Sequence, residues 1–115
     1  MAQVHANSGE LVDVRPLGPA QAGGLAQQVS TAIMKSEQLE LIRLVLPLGK
    51  GMPEHRVAGE ITVQCLEGLI EFTTPQAALR LEPGQLVHLQ GGTTHSLLAL
   101  ADSSALQTIC LQPPA

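Results

Sequence analysis

The spacing of turns constrains this chain more than any other feature. From residue 39 onward, glycine- or proline-bearing breaks recur every few residues and leave no room for a long helix. Leu39 to Leu46 alternates, with Leu39, Leu41, Arg43 and Val45 on one side and Glu40, Ile42, Leu44 and Leu46 on the other. Both sides are largely apolar, which suits a strand covered on two faces. Pro47 to Pro53 reads as a loop and Gly59-Glu60 as a second break. Ile61 to Leu66 alternates again, Glu67-Gly68 is a hairpin signal, and Leu69 to Thr74 returns. Pro75-Gln76 turns into Ala77 to Leu81. Glu82-Pro83-Gly84 is a strong turn, because proline presets its first central position and glycine accepts a left-handed second one. Gln85 to Leu89, His95 to Leu100 and Ala105 to Leu111 are further strands, separated by Gly91-Gly92 and by Ala101 to Ser104. Eight to ten short strands at this spacing predict an all-β antiparallel sandwich or barrel.

The N-terminal part reads differently. Leu11 to Val14 has the pattern of a short strand, which Pro16 stops. Ala20 to Gln28 is rich in Ala and Gln, but Gly23 and Gly24 restrict it to one or two helical turns. The expected organisation is an arm over 1–28 and a barrel over 29–115. The core must be built without aromatic bulk, since the chain has one Phe, no Trp and no Tyr. That scarcity argues against single-stranded nucleic acid, which binds by stacking on aromatic rings. The net charge of −4 argues against any phosphate-backbone partner. No apolar run is long enough for a membrane span, and the start lacks the charged-then-apolar pattern of a secretory signal. A cytoplasmic protein is expected. Cys65 and Cys110 have no framework spacing and read as buried thiols.

Two histidines, His55 and His95, follow the turn-rich stretches and flank alternating runs, so they are the best candidates for a shared pocket. Around them the sequence resembles the cupin family of small jelly-roll (double-stranded β-helix) proteins. That family's first motif runs Gly, five residues, His, one residue, His, three or four residues, Glu, six residues, Gly. Here Gly49 and His55 are in register, Val57 stands at the second His, Ile61 at the Glu, and Gly68 closes the motif after Cys65-Leu66-Glu67. The second motif runs Gly, five residues, Pro, one residue, Gly, two residues, His, three residues, Asn. Gly84, Gln90, Gly92, His95 and Ala99 occupy those positions, with Gln90 and Ala99 as departures.

The resemblance spans roughly residues 39–111 and implies an antiparallel cupin barrel with at most a short N-terminal helical segment. In metal-dependent members a divalent ion (Fe, Mn, Ni or Zn) is held by two His and a Glu from the first motif and a His from the second, a donor set that leaves positions open for substrate. In this chain His55 and His95 keep ligand identity while Val57 and Ile61 do not. Two less direct candidates could complete a set. Glu60 neighbours the missing Glu position and needs a bulge to turn inward, and His88 needs an inward register on its strand. The expected pocket lining is His55, Val57, Ile61, Val63, Cys65, His88 and His95. Arg43 reads as a surface arginine, with a substrate-carboxylate clamp as the sharper alternative.

Three functions are compatible with this reading. The first is a small-molecule-binding barrel centred on His55 and His95. The second is a divergent metal-dependent enzyme, such as a dioxygenase, isomerase or decarboxylase acting on a small organic acid. The third is a non-catalytic barrel acting through self-association. A homodimer is the oligomer that the resemblance implies.

Overall fold

The computed structural model describes residues 5–18 and 29–111. These contain nine strands and no helix: β1 (Thr31–Lys35), β2 (Leu39–Leu46), β3 (Gly51–His55), β4 (Ile61–Glu67), β5 (Ile70–Thr73), β6 (Ala78–Leu81), β7 (Leu86–Leu89), β8 (His95–Ala99) and β9 (Ser103–Cys110). The strand pairings among the described residues are antiparallel, and the strands form two sheets ordered β1-β2-β9-β4-β7 and β3-β8-β5-β6. Apart from β1–β2 and β5–β6, neighbours in the sheets are distant in sequence, as in a jelly roll. The all-β antiparallel expectation therefore holds. The helical turns expected over 20–28 lie outside the described residues.

Alternation decides which side chains meet between the sheets. On β4, Ile61, Val63 and Cys65 are buried while Thr62 and Gln64 are half-exposed. On the opposing sheet, Ile70 and Phe72 of β5 and His95, Leu97 and Ala99 of β8 are buried. These residues join Leu44, Leu46, Leu81, Leu89 and Ala105 in one core cluster, His95 excepted as a polar member of the same layer. Full burial of a side chain the size of Phe72 or Ile70 contributes about 1.5–3 kcal/mol.

The turns take the conformations their residues prescribe. Gln85 N–H donates to Glu82 O at 2.9 Å across the Pro83-Gly84 corner, where Gly84 has φ 91°. Gly68 has φ 87°, and a Cβ there would also lie 2.2 Å from Ser103 Oγ. Both its φ and the close approach of β9 exclude a side chain.

Three local expectations are corrected. Pro47 to Pro53 is not all loop, because Gly51–His55 forms β3. Proline is tolerated there because β3 is a sheet edge and its register shifts between Met52 and His55. Ser103 and Ser104 belong to β9 rather than to a turn, and both are fully buried. Leu11–Val14 forms no strand, because that segment is held by side chains instead of a ladder.

Two barrel residues hold it. The Arg43 guanidinium, 8% exposed, donates from Nη1 to Arg15 O at 3.0 Å and from Nη2 to Asp13 O at 3.2 Å. It is thus a buried anchor rather than a surface arginine. The Glu67 carboxylate accepts from Leu17 N–H at 2.8 Å and Gly18 N–H at 3.0 Å, and Ser104 Oγ also donates to it. Charge-assisted bonds to backbone are stronger than neutral ones. Further along, Ala6 N–H donates to Ile33 O on the edge strand β1 at 2.9 Å.

Candidate functional site

His55 ends β3 and His95 begins β8, and the two are direct cross-strand partners. Their ring centroids lie 4.3 Å apart with planes tilted by 57°. His95 is 1% exposed, whereas His55 is half-buried at the sheet edge. Phe72, on the next strand, stacks on His95: its ring lies 5.4 Å from that of His95 and within 7° of parallel. The single aromatic residue of the chain thus fixes the plane of the buried imidazole.

The hydrogen bonds determine which nitrogen carries each proton. His55 Nδ1 lies 2.8 Å from Pro53 O, and His95 Nδ1 lies 3.0 Å from Thr93 O. A carbonyl oxygen only accepts, so each Nδ1 must be the protonated nitrogen. In the neutral ring Nε2 then carries the lone pair. His95 Nε2 is buried and has no hydrogen-bond partner among the described residues. Burial holds the His95 pKa below its ordinary value; the Thr93 carbonyl opposes this and the His55 charge adds to it. His95 is therefore neutral at pH 7, and its Nε2 is a buried acceptor with no partner among the described residues.

The remaining expected lining residues are placed as follows. Ile61 is 2% exposed, Val63 and Cys65 are fully buried, and Val57 packs half-buried against the same core. The Cys65 thiol points to Glu67 O at 3.4 Å, and burial pushes its pKa up, which makes it a poor nucleophile. Neither cysteine forms a disulfide. His88 and Glu60 are not brought to the histidine pair. They face outward and bind each other, His88 Nε2 to Glu60 Oε1 at 2.7 Å, with both side chains more than half exposed. The reason is alternation. Val87 and Leu89 take the inward positions of β7, which leaves His88 outside, and Glu60 precedes the inward Ile61 with no bulge between them.

Phe72 was missed as a site residue, although being the only aromatic on an inward-alternating strand was a usable signal. Glu67 reads in the sequence as part of a turn and of the first motif, since nothing in its local sequence points to residues 17 and 18. Two clefts, of about 520 Å³ beside residues 6–12 and 34–36 and about 510 Å³ beside residues 13–17 and Arg43, flank the N-terminal segment and do not include the histidines.

No protein-family model and no curated protein matches this chain. Solved structures do. A cupin superfamily protein from Desulfitobacterium hafniense DCB-2 aligns over 93% of this chain and 100% of its own, at 18% identity and a TM-score of 0.74. The chain has the cupin fold. An RmlC-like cupin from Desulfovibrio desulfuricans aligns over 92% of this chain and 97% of its own, at 24% identity and a TM-score of 0.67. The DMSP lyase DddQ from Ruegeria pomeroyi DSS-3 aligns over 75% of this chain and 49% of its own, at 22% identity and a TM-score of 0.67. The cupin barrel thus places His55 and His95 together, as the two motifs imply.

The donor set does not fit a resident divalent ion. Pinning Nδ1 to a backbone carbonyl is how proteins prepare an imidazole for a metal, and both rings have that arrangement. Yet the positions for a second imidazole and a carboxylate hold Val57 and Ile61, and His88 and Glu60 are engaged with each other outside. Among the described residues no three of His, Cys, Asp or Glu gather in one place. Two neutral imidazoles alone bring neither the charge nor the ligand number that such ions take.

Proposed function

We propose that this chain is a small-molecule-binding cupin barrel whose ligand is held at the His55–His95 pair. One observation carries the reading: His95 Nε2 is buried without a partner. Leaving a buried acceptor unsatisfied costs about 1–3 kcal/mol, and such groups mark places where something else binds. The half-buried edge position of His55 supplies the approach to it. A greasy wall with a few oriented polar atoms is the usual make-up of a small-ligand site.

A cytoplasmic setting accords with two cysteines that form no disulfide. A homodimer is the proposed oligomer. Leu39 and Leu86 stay 42% and 57% exposed on the outer face of the five-stranded sheet, the surface on which a second copy would bury them. Sizing by light scattering tests this, and a monomer at micromolar concentration would contradict it.

The site is tested by a thermal-shift screen of small alcohols, phenols, amines and carboxylic acids against the wild type and His55→Ala. The reading predicts compounds that raise the wild-type melting temperature and leave His55→Ala unmoved. A screen in which every active compound shifts both proteins equally would refute it.

A further inference from the structure

We infer that the His55–His95 pair takes a neutral hydroxyl-bearing ligand, a vicinal diol in the best-matched case, bound directly to the two Nε2 atoms without a metal ion. This rests on the proposed small-molecule site and adds the ligand's chemistry. The argument starts from the tautomers. Pro53 O and Thr93 O each accept from an Nδ1–H, so in the neutral rings each Nε2 is left with a lone pair.

Two acceptors side by side select for donors. A carboxylate brings only further lone pairs and would meet two acceptors in an apolar wall. An ether of the same shape has no proton to give. An ammonium group could donate, but burying a cation beside Phe72 and the aliphatic core, with no anion to pair it, is far more expensive than burying a hydroxyl. A hydroxyl donates to Nε2 and loses little on desolvation. The ring centroids lie 4.3 Å apart, so a ligand carrying hydroxyls on adjacent carbons can present one to each ring. The apolar part of such a ligand would lie toward Met52 and Val57, which pack half-buried against the core.

The test uses chelator-treated, ¹⁵N-labelled protein and long-range ¹H–¹⁵N spectra of the histidine rings. The probes are catechol, its dimethyl ether veratrole, benzoate and Zn²⁺. Catechol is expected to move both Nε2 resonances saturably and to bind roughly tenfold or more tighter than veratrole or benzoate, the size two net hydrogen bonds confer. His95→Phe, which keeps the packing against Phe72, should abolish the preference for catechol over veratrole. Veratrole or benzoate binding the pair as tightly as catechol would overturn the hydroxyl inference and leave the small-molecule site standing. One-to-one Zn²⁺ binding by the pair, tighter than catechol, would overturn the metal-free part. If none of the four probes perturbs either ring, the site reading falls together with the inference.

Discussion

Phe72 lies parallel to His95 at a centroid distance of 5.4 Å, so the chain's single Phe, Tyr or Trp ring packs against the imidazole whose Nε2 is buried without a partner among the described residues. The stack makes the volume of His95 structural even where its chemistry is not. His95→Ala would open a cavity beside Phe72 and should destabilise the fold by about 2–4 kcal/mol, in the range of large-to-small core changes. His95→Phe keeps the ring and removes the unsatisfied nitrogen, which offsets loss of the bond to Thr93 O, so it should destabilise the fold less than His95→Ala does. Urea unfolding midpoints of the two variants check the contrast; equal losses would show that the imidazole nitrogens, not the ring volume, hold the site.

The pH dependence has a definite sign. Burial lowers the His95 pKa from 6.5 in the folded chain, so on acidification the unfolded chain takes up this proton first. Stability is unaffected by His95 well above pH 6.5 and falls as pH drops below it, until the folded-state pKa is reached. Denaturant titrations from pH 8 to pH 5 should show this decline in the wild type and a shallower one in His95→Phe.

The N-terminal segment should loosen when its anchor is removed. Glu67→Ala leaves the Leu17 and Gly18 amides and the Ser104 hydroxyl without their acceptor. Hydrogen exchange at those two amides is expected to accelerate at least tenfold, while amides of β5 and β8 stay protected. A global loss of protection would instead make Glu67 part of the barrel's own stability.

The Glu60–His88 pair should matter little. It is exposed on the outer face, and surface ion pairs contribute about 0–1 kcal/mol. Glu60→Gln is expected to leave the unfolding midpoint nearly unchanged and the ring resonances of His55 and His95 unmoved. A shift in either ring would restore Glu60 as a site residue.

How much of this was legible in the sequence depended on range. Pro83-Gly84 and Glu67-Gly68 encode their turns within a few residues, and alternation over Ile61 to Cys65 gave the inward face of β4 directly. The pairing of His55 with His95 was legible only through two motifs forty residues apart. Alternation alone could have turned His88 away, since Val87 and Leu89 flank it. Pro53 misled because proline argues against strands, yet an edge strand with a register shift admits it. The bonds from Glu67 to residues 17 and 18 and from Arg43 to Asp13 and Arg15 span 28 to 50 positions and leave no local pattern.

The most direct test of the account is the protonation state of the two rings in the free protein, read from long-range ¹H–¹⁵N histidine spectra between pH 8 and pH 5. The account predicts that each ring carries its proton on Nδ1, that His95 Nε2 is bare at pH 7.5, and that His95 stays neutral to a pH below 6.5. A proton on His95 Nε2 at pH 7.5, or a His95 that titrates like a solvent-exposed histidine, would contradict it.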